Sequence, residues 1–137
     1  MKYTAYNWSI GIEPIDKIMN QYEAADEIAM IVPGSATEIC QAMKTKNPFK
    51  TIRIFSRHFK GLVEAHNLPM TEKCLRVIGK IYEKGDTAVK NAVETVFIFS
   101  LDLITNSCSV SERNQIMSKL PIHVFTAYYR QVYKSAF

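Results

Sequence analysis

The chain has 137 residues, 47% of them hydrophobic and 22% charged, and a net charge of +4, which is typical of one soluble globular domain. Its five glycines and five prolines are too few for a turn-dense β-sandwich, and it lacks an apolar run of the roughly 18 residues that a membrane-spanning helix needs. We therefore expect a cytoplasmic protein that does not enter a membrane.

The charge is unevenly distributed along the chain. Residues 1–40 carry a net charge of −4, residues 41–66 carry +5, residues 67–104 are balanced and residues 105–137 carry +3. Such segregation indicates either an anionic partner or attraction between parts of the same chain.

The first dozen residues lack a helical hydrophobic period, and we predict an N-terminal arm over residues 1–13 and one helical domain over residues 14–137. A first helix is predicted from Pro14 to Val32, because proline suits the first helical position and Pro33-Gly34 ends a helix. Its apolar face comprises Ile15, Ile18, Met19, Tyr22, Ala25, Ala29 and Val32.

Two cap patterns predict the second and third helices. Ser35-Ala-Thr-Glu38 has the capping-box pattern and begins a short helix to about Lys44. Asn47-Pro48 supplies an N-cap and a first-turn proline for a longer helix that ends near Asn67. This third helix has a basic arc opposite an apolar arc formed by Phe49, Ile52, Phe55, Phe59, Leu62, Val63 and His66.

The fourth and fifth helices are predicted over residues 70–84 and 87–105. Gly85-Asp86 joins them, because glycine suits the position after a helix and aspartate is a good N-cap. The fifth helix has a broad apolar arc and adds Ile98 on its far side, so we predict that it lies at the centre of the fold. Its arc comprises Val89, Ala92, Val93, Val96, Phe97, Phe99, Leu103 and Ile104.

The last two helices begin at a second capping-box pattern, Ser109-Val-Ser-Glu112, and at Pro121. We expect the sixth helix to end near Lys119. The inward face predicted for the seventh comprises Val124, Phe125, Tyr128, Tyr129, Val132 and Tyr133. The side chains predicted to face water are His123, Arg130 and Lys134.

These elements predict an all-α fold of about seven helices. The second helix should pair with the third, the fourth with the fifth and the sixth with the seventh, each pair antiparallel. Pairs of 30 to 35 residues are typical of helical-hairpin arrays, so we expect a short α-α superhelix or a multi-helix bundle.

Four cations on the third helix form a candidate binding surface, the basic stripe of Lys50, Arg53, Arg57 and Lys60. Cations spread over three turns could bind phosphates or an acidic protein surface. The alternative is a solvated helix face. The stripe has no aromatic residue on which bases could stack, so nucleic acid is not the favoured partner.

A second candidate is the polar ridge of Asn91, Thr95 and Asp102 on the otherwise apolar fifth helix. Their i, i+4, i+11 spacing places them along one line of a regular helix. Because buried polar groups must find partners, we interpret the ridge as an inter-helix hydrogen-bond network or as a ligand-contacting surface.

No pattern of a metal site or of a catalytic histidine is present. His58 and His66 are eight residues apart and cannot form the i, i+4 ligand pair of a helical metal site. We expect His66 at the edge of the core and His123 in solvent. Cys40, Cys74 and Cys108 are isolated, so we expect reduced thiols, no metal and no cofactor.

Several joints and core residues resemble an uncharacterised family of small all-helical bacterial proteins. The likeness covers residues 47–137 and rests on Gly85-Asp86, Val89–Glu94, Phe97–Leu101, Leu120-Pro121, Tyr128 and Gln131-Val132. The family has no established activity that the resemblance could imply. Some small helical proteins of this kind are immunity partners of toxins, which suggests that role by analogy.

We predict a non-enzymatic protein–protein interaction module, with toxin immunity as one instance. Inhibitors of nucleic-acid-cleaving toxins are expected to be acidic, whereas this chain is basic. The first alternative is nucleic-acid or polyanion binding through the basic stripe. The second is an enzyme whose pocket gathers distant residues such as His66, Asp102 and Tyr129. A homo-oligomer is also compatible with the sequence.

Overall fold

The computed structural model describes residues 17–136, and this part of the chain folds into seven helical segments. The prediction of an all-α fold with about seven helices is confirmed. The segments are α1 (Gln21–Ile31), α2 (Ala36–Met43), α3 (Pro48–Glu64), α4 (Leu68–Lys84), α5 (residues 87–104), α6 (Val110–Ser118) and α7 (Ile122–Ala136).

The start of α1 differs from the prediction. The arm over residues 1–13 and the helix start at Pro14 lie outside the described residues, and residues 17–20 are not helical. α1 begins after Asn20, whose side chain accepts hydrogen bonds from the amides of Tyr22 and Glu23 in a complete capping box. Just before it, Met19 is hydrogen-bonded to Lys84 and Asp86, which ties the chain to the α4–α5 joint.

Three of the predicted N-caps are confirmed, and one is wrong. Asn47, Asp86 and Ser109 each accept a hydrogen bond from a first-turn amide. Ser35 caps no amide, because its buried hydroxyl donates instead to the carbonyl of Val32. Local sequence therefore determines most of the helix starts.

Three wholly buried aromatic rings lie where α3 meets α5. Phe97 contacts Phe55 and Phe59 edge to face, with ring centroids 5.3 and 5.1 Å apart. The predicted apolar arc of α3 is confirmed for Ile52, Phe55, Phe59 and Val63, which are all buried. Edge-to-face contacts of this kind add to the stability that burial alone provides.

α5 is not a regular helix. It is α-helical over Thr87–Ala92, a π-helix over Val93–Phe97, a 3₁₀-helix over Ile98–Ser100 and α-helical again over Leu101–Ile104. Each change alters the rotation per residue, so the regular spacing that the prediction assumed fails beyond residue 97. Phe99 and Leu103 were predicted inward but are 76% and 71% exposed, whereas Ile98 is buried.

The central position predicted for α5 is shared with α4. α4 packs against α1, α3, α5, α6 and α7, and α5 packs against α1, α3, α4 and α7. α7 packs mainly against α4 and residues 98–100 rather than against α6, which differs from the predicted pairing. Gly79 permits the α4–α7 approach, because a Cβ there would lie 2.4 Å from the Pro121 ring. None of the helices between residues 17 and 136 is both long and apolar enough to span a membrane.

Candidate functional site

An exposed apolar face on α7 is the main candidate site. This face, the α7 stripe, consists of Ile122, Phe125, Tyr129, Val132 and Tyr133, and all five side chains are exposed. All of them except Ile122 were predicted to point inward. Only part of the predicted inward face is confirmed, because Val124 is buried and Tyr128 is half-buried. α7 has apolar residues around more than half of its circumference, so periodicity could not tell which arc meets the core.

Aromatic rings form a continuous ladder along this stripe. The ring centroids of Phe125 and Tyr129 are 6.1 Å apart, and those of Tyr129 and Tyr133 are 4.3 Å apart. The hydrogen bond with Tyr133 raises the pKa of Tyr129. Tyrosines in such a row present apolar ring area together with polar hydroxyls, which suits contact with another macromolecule.

The rotation of α7 is fixed by a polar cluster on the side next to α5. The Tyr128 hydroxyl donates to the Asp102 carboxylate at 2.5 Å, and the Arg113 guanidinium donates to the same oxygen at 2.8 Å. Burial of Tyr128, followed by its hydrogen bond to Asp102, raises the pKa of Tyr128. Further along, the Gln131 amide donates to the carbonyl of Glu94 at 3.1 Å. These bonds hold α7 with its stripe turned outward.

The predicted polar ridge does not form a buried network. Asn91, Thr95 and Asp102 are all exposed. The π-helix and the 3₁₀-helix lie between Thr95 and Asp102, so the spacing that aligned the three residues no longer holds. Asp102 nevertheless hydrogen-bonds Tyr128 of α7 and Arg113 of α6, so it takes part in an inter-helix network that positions α7.

The basic stripe is exposed, but half of its cations are paired. Arg57 binds Glu38 of α2, and Lys60 lies 3.9 Å from Glu64. His58 also binds Glu38, at 2.7 Å, and this hydrogen bond together with the charge of Arg57 lowers the pKa of Glu38. The attraction between acidic and basic parts of the chain therefore acts at the α2–α3 contact. Among the described residues, Lys50 and Arg53 have no ionic partner.

A shallow cavity of about 270 Å³ adjoins this ion pair. Its wall consists of Pro33, Arg57, His58, Gly61 and Leu62. Because Glu38 already binds the two polar wall residues, an anionic ligand would have to displace that carboxylate. The cavity is therefore a weaker candidate than the α7 stripe.

The histidines take separate positions. His66 was predicted at the core edge but is exposed; it lies beyond the C-cap of α3 and has a positive φ of 59°, the left-handed conformation that commonly follows a helix. It binds Glu112 of α6 at 2.7 Å. His123 is exposed, as predicted, and lies 3.7 Å from Glu83.

Each residue of the predicted enzyme pocket contacts a different side chain. His66 binds Glu112, Asp102 binds Tyr128 and Tyr129 stacks on Tyr133. The enzyme alternative therefore stays a prediction. Between residues 17 and 136, no three or more His, Cys, Asp and Glu side chains are grouped so that they could hold a metal ion.

Comparison with known proteins gives one match. No curated protein and no solved structure matches the chain. One family model matches residues 25–134, which is most of the chain and includes α7 except for its last two residues. The chain therefore belongs to the family described as a domain of unknown function, DUF7674.

Proposed function

We propose that the protein is a non-enzymatic interaction module that binds another protein through the α7 stripe. The observation that carries this proposal is the exposed ladder of Phe125, Tyr129 and Tyr133. Contiguous apolar patches on a folded surface mark interaction sites, and tyrosine is enriched among the residues that dominate binding energy.

The way α7 is held supports the same function. The Tyr128–Asp102 bond and the Gln131–Glu94 bond fix one side of the helix, and the Gly79–Pro121 contact fixes its start. A surface that is rigid before binding loses less conformational entropy when the partner arrives. The stripe is therefore preorganised for contact.

Toxin immunity in the bacterial cytoplasm is one instance of this proposed function. The net charge of +4 favours a partner with an acidic surface over a basic nuclease. Polyanion binding through the basic stripe has less support, since Arg57 and Lys60 are already paired within the chain.

Site-specific photo-cross-linking in the native host tests the proposal. Tyr133 is replaced by p-benzoylphenylalanine, and Met30, an exposed apolar residue on α1, is replaced in a matched control. We expect a protein adduct at position 133 that is absent at position 30 and that disappears when Phe125→Glu is added. Identical adduct patterns at both positions, or no adduct at position 133, would contradict the proposal.

A further inference from the structure

The spacing of the α7 stripe indicates the shape of its partner. Ile122, Phe125, Tyr129 and Val132 follow one another at intervals of three, four and three residues. This is the a and d spacing of a coiled-coil seam, the pattern with which one helix packs along another. All four side chains are exposed, so the seam has no helix against it among the described residues.

A second apolar ridge lies beside the stripe. Residues 98–100 of α5 pack against α7, and Asp102 of the same helix reaches Tyr128 of α7. Phe99 is 76% exposed, and Leu103, one turn further on, is 71% exposed. Two neighbouring apolar ridges are the kind of surface into which an amphipathic helix fits.

One flank of the stripe is basic. Residues 122–136 include His123, Arg130 and Lys134 but no acidic residue. Each residue of an α-helix is rotated by about 100° from the one before it. These three side chains therefore lie roughly 60° to 100° around the helix axis from Tyr133, on the side that faces α4. Glu83 of α4 is 3.7 Å from His123, and Arg130 lies near the Tyr82 hydroxyl. Lys134 has no ionic partner in the described part of the chain.

The basic flank makes a second copy of this chain a poor occupant. A twofold interface is isologous, so an antiparallel pair of α7 helices would place the same flank of each copy side by side. The basic side chains of both copies would then line one flank of the pair, and like charges brought together oppose association.

We propose that the groove between the α7 stripe and Phe99 binds an amphipathic α-helix of another protein, and that this helix carries acidic residues along one flank. The inference rests on the proposed function and adds the class of partner. Apolar side chains of the partner helix fill the seam, and its carboxylates reach Arg130 and Lys134.

Three synthetic helical peptides test the charge of the occupant. They share one leucine seam at a and d positions and carry glutamate, glutamine or lysine on the flanks. Binding of each to the full chain is measured by fluorescence anisotropy at about 50 mM and about 300 mM salt, because salt screens the flank charges. We expect the glutamate peptide to bind roughly tenfold more tightly than the glutamine peptide at low salt, and the lysine peptide to bind most weakly.

Three variants locate the binding. Phe125→Glu should abolish it, whereas Met30→Glu, which changes an exposed apolar residue on α1, should leave it unchanged. Lys134→Glu, at an exposed side chain, should reduce the preference for the glutamate peptide without affecting the fold. Thermal melts of all three variants check that they remain folded.

The outcomes separate this inference from the proposed function. Equal binding of the three peptides, or tighter binding of the lysine peptide, overturns the acidic partner. Binding of no peptide overturns the helix groove, while the cross-link at position 133 still tests the proposed function by itself.

Three other occupants would also overturn the inference. A dimer that Phe125→Glu dissociates in sedimentation experiments would identify a second copy. Binding to phosphatidylglycerol vesicles that depends on Phe125 would identify a lipid surface. A cross-link from position 133 to residues 1–16 would show that the chain covers its own stripe.

Discussion

Tyr128 of α7 and Asp102 of α5 are joined by a hydrogen bond of 2.5 Å in which the hydroxyl donates to the carboxylate. The two residues are 26 positions apart, and Arg113 of α6 donates to the same carboxylate oxygen. One carboxylate thus connects three helices. Its position also determines which face of α7 remains exposed.

Removing the Tyr128 hydroxyl should loosen this connection. We expect Tyr128→Phe to lower the free energy of unfolding by about 1 kcal/mol, because Asp102 can partly replace the lost bond with water. Urea unfolding followed by circular dichroism measures the change. Tyr129→Phe is the matched control at the next, exposed position and should change stability by less than about 0.5 kcal/mol. Equal losses in the two variants would show that the Asp102 bond adds no stability.

The irregular turn in α5 gives a sharp comparison between two phenylalanines. Phe97 is wholly buried against Phe55 and Phe59, whereas Phe99 is 76% exposed. We expect Phe97→Ala to lower the free energy of unfolding by roughly 3 to 5 kcal/mol, and Phe99→Ala to change it by less than about 0.5 kcal/mol. Chemical denaturation of both variants provides the measurement. A regular α-helix would instead bury Phe99, so a large loss at that position would contradict the π-helical and 3₁₀-helical path.

The helix starts could be predicted from the sequence, but the irregular path of α5 could not. N-caps such as Asn47 and Asp86 act on amides two or three residues away, so local patterns suffice to identify them. Around Phe97, by contrast, α5 packs against aromatic rings on α3, which lie some 40 residues earlier in the chain. Local sequence patterns do not report such distant contacts.

The candidate site was only partly predictable for a similar reason. All aromatic residues of the α7 stripe were identified as one apolar face, but their direction depends on where Asp102, Arg113 and Gly79 hold the helix. Those contacts join residues that are distant in sequence. Asp102 was singled out as a polar residue on an apolar helix, and it does hydrogen-bond other helices, but the sequence did not identify Tyr128 and Arg113 as its partners. A polar residue on an apolar helix indicates that a partner exists without identifying it.

Two helical glycines should respond in opposite directions to alanine. A Cβ on Gly79 would lie 2.4 Å from the Pro121 ring, whereas a Cβ on Gly61 would meet no atom within 4 Å. Gly61→Ala should raise the free energy of unfolding by about 0.5 to 1 kcal/mol, because alanine loses less entropy in a helix. Gly79→Ala should lower it by about 1 to 3 kcal/mol, because the proline ring cannot move aside without displacing α7. Thermal and urea unfolding of both variants tests this, and a stabilised Gly79→Ala would contradict the close α4–α7 contact.

Tyr82 should make stability depend on pH in the alkaline range. Burial, followed by a hydrogen bond to Glu94, raises the pKa of Tyr82 from 10.0 to about 12. The folded protein therefore holds this proton more tightly than the unfolded chain does, and the resulting stability is fully present below pH 10 and is lost as the pH rises toward 12. The free energy of unfolding should fall more steeply between these pH values in the natural protein than in Tyr82→Phe, which cannot ionise there. Ultraviolet titration of tyrosinate should show one fewer late-titrating group in Tyr82→Phe than in the natural protein, whereas the control Tyr22→Phe, at an exposed side chain, should retain the Tyr82 group. Parallel pH profiles for the natural protein and Tyr82→Phe would mean that Tyr82 ionises normally in the folded state.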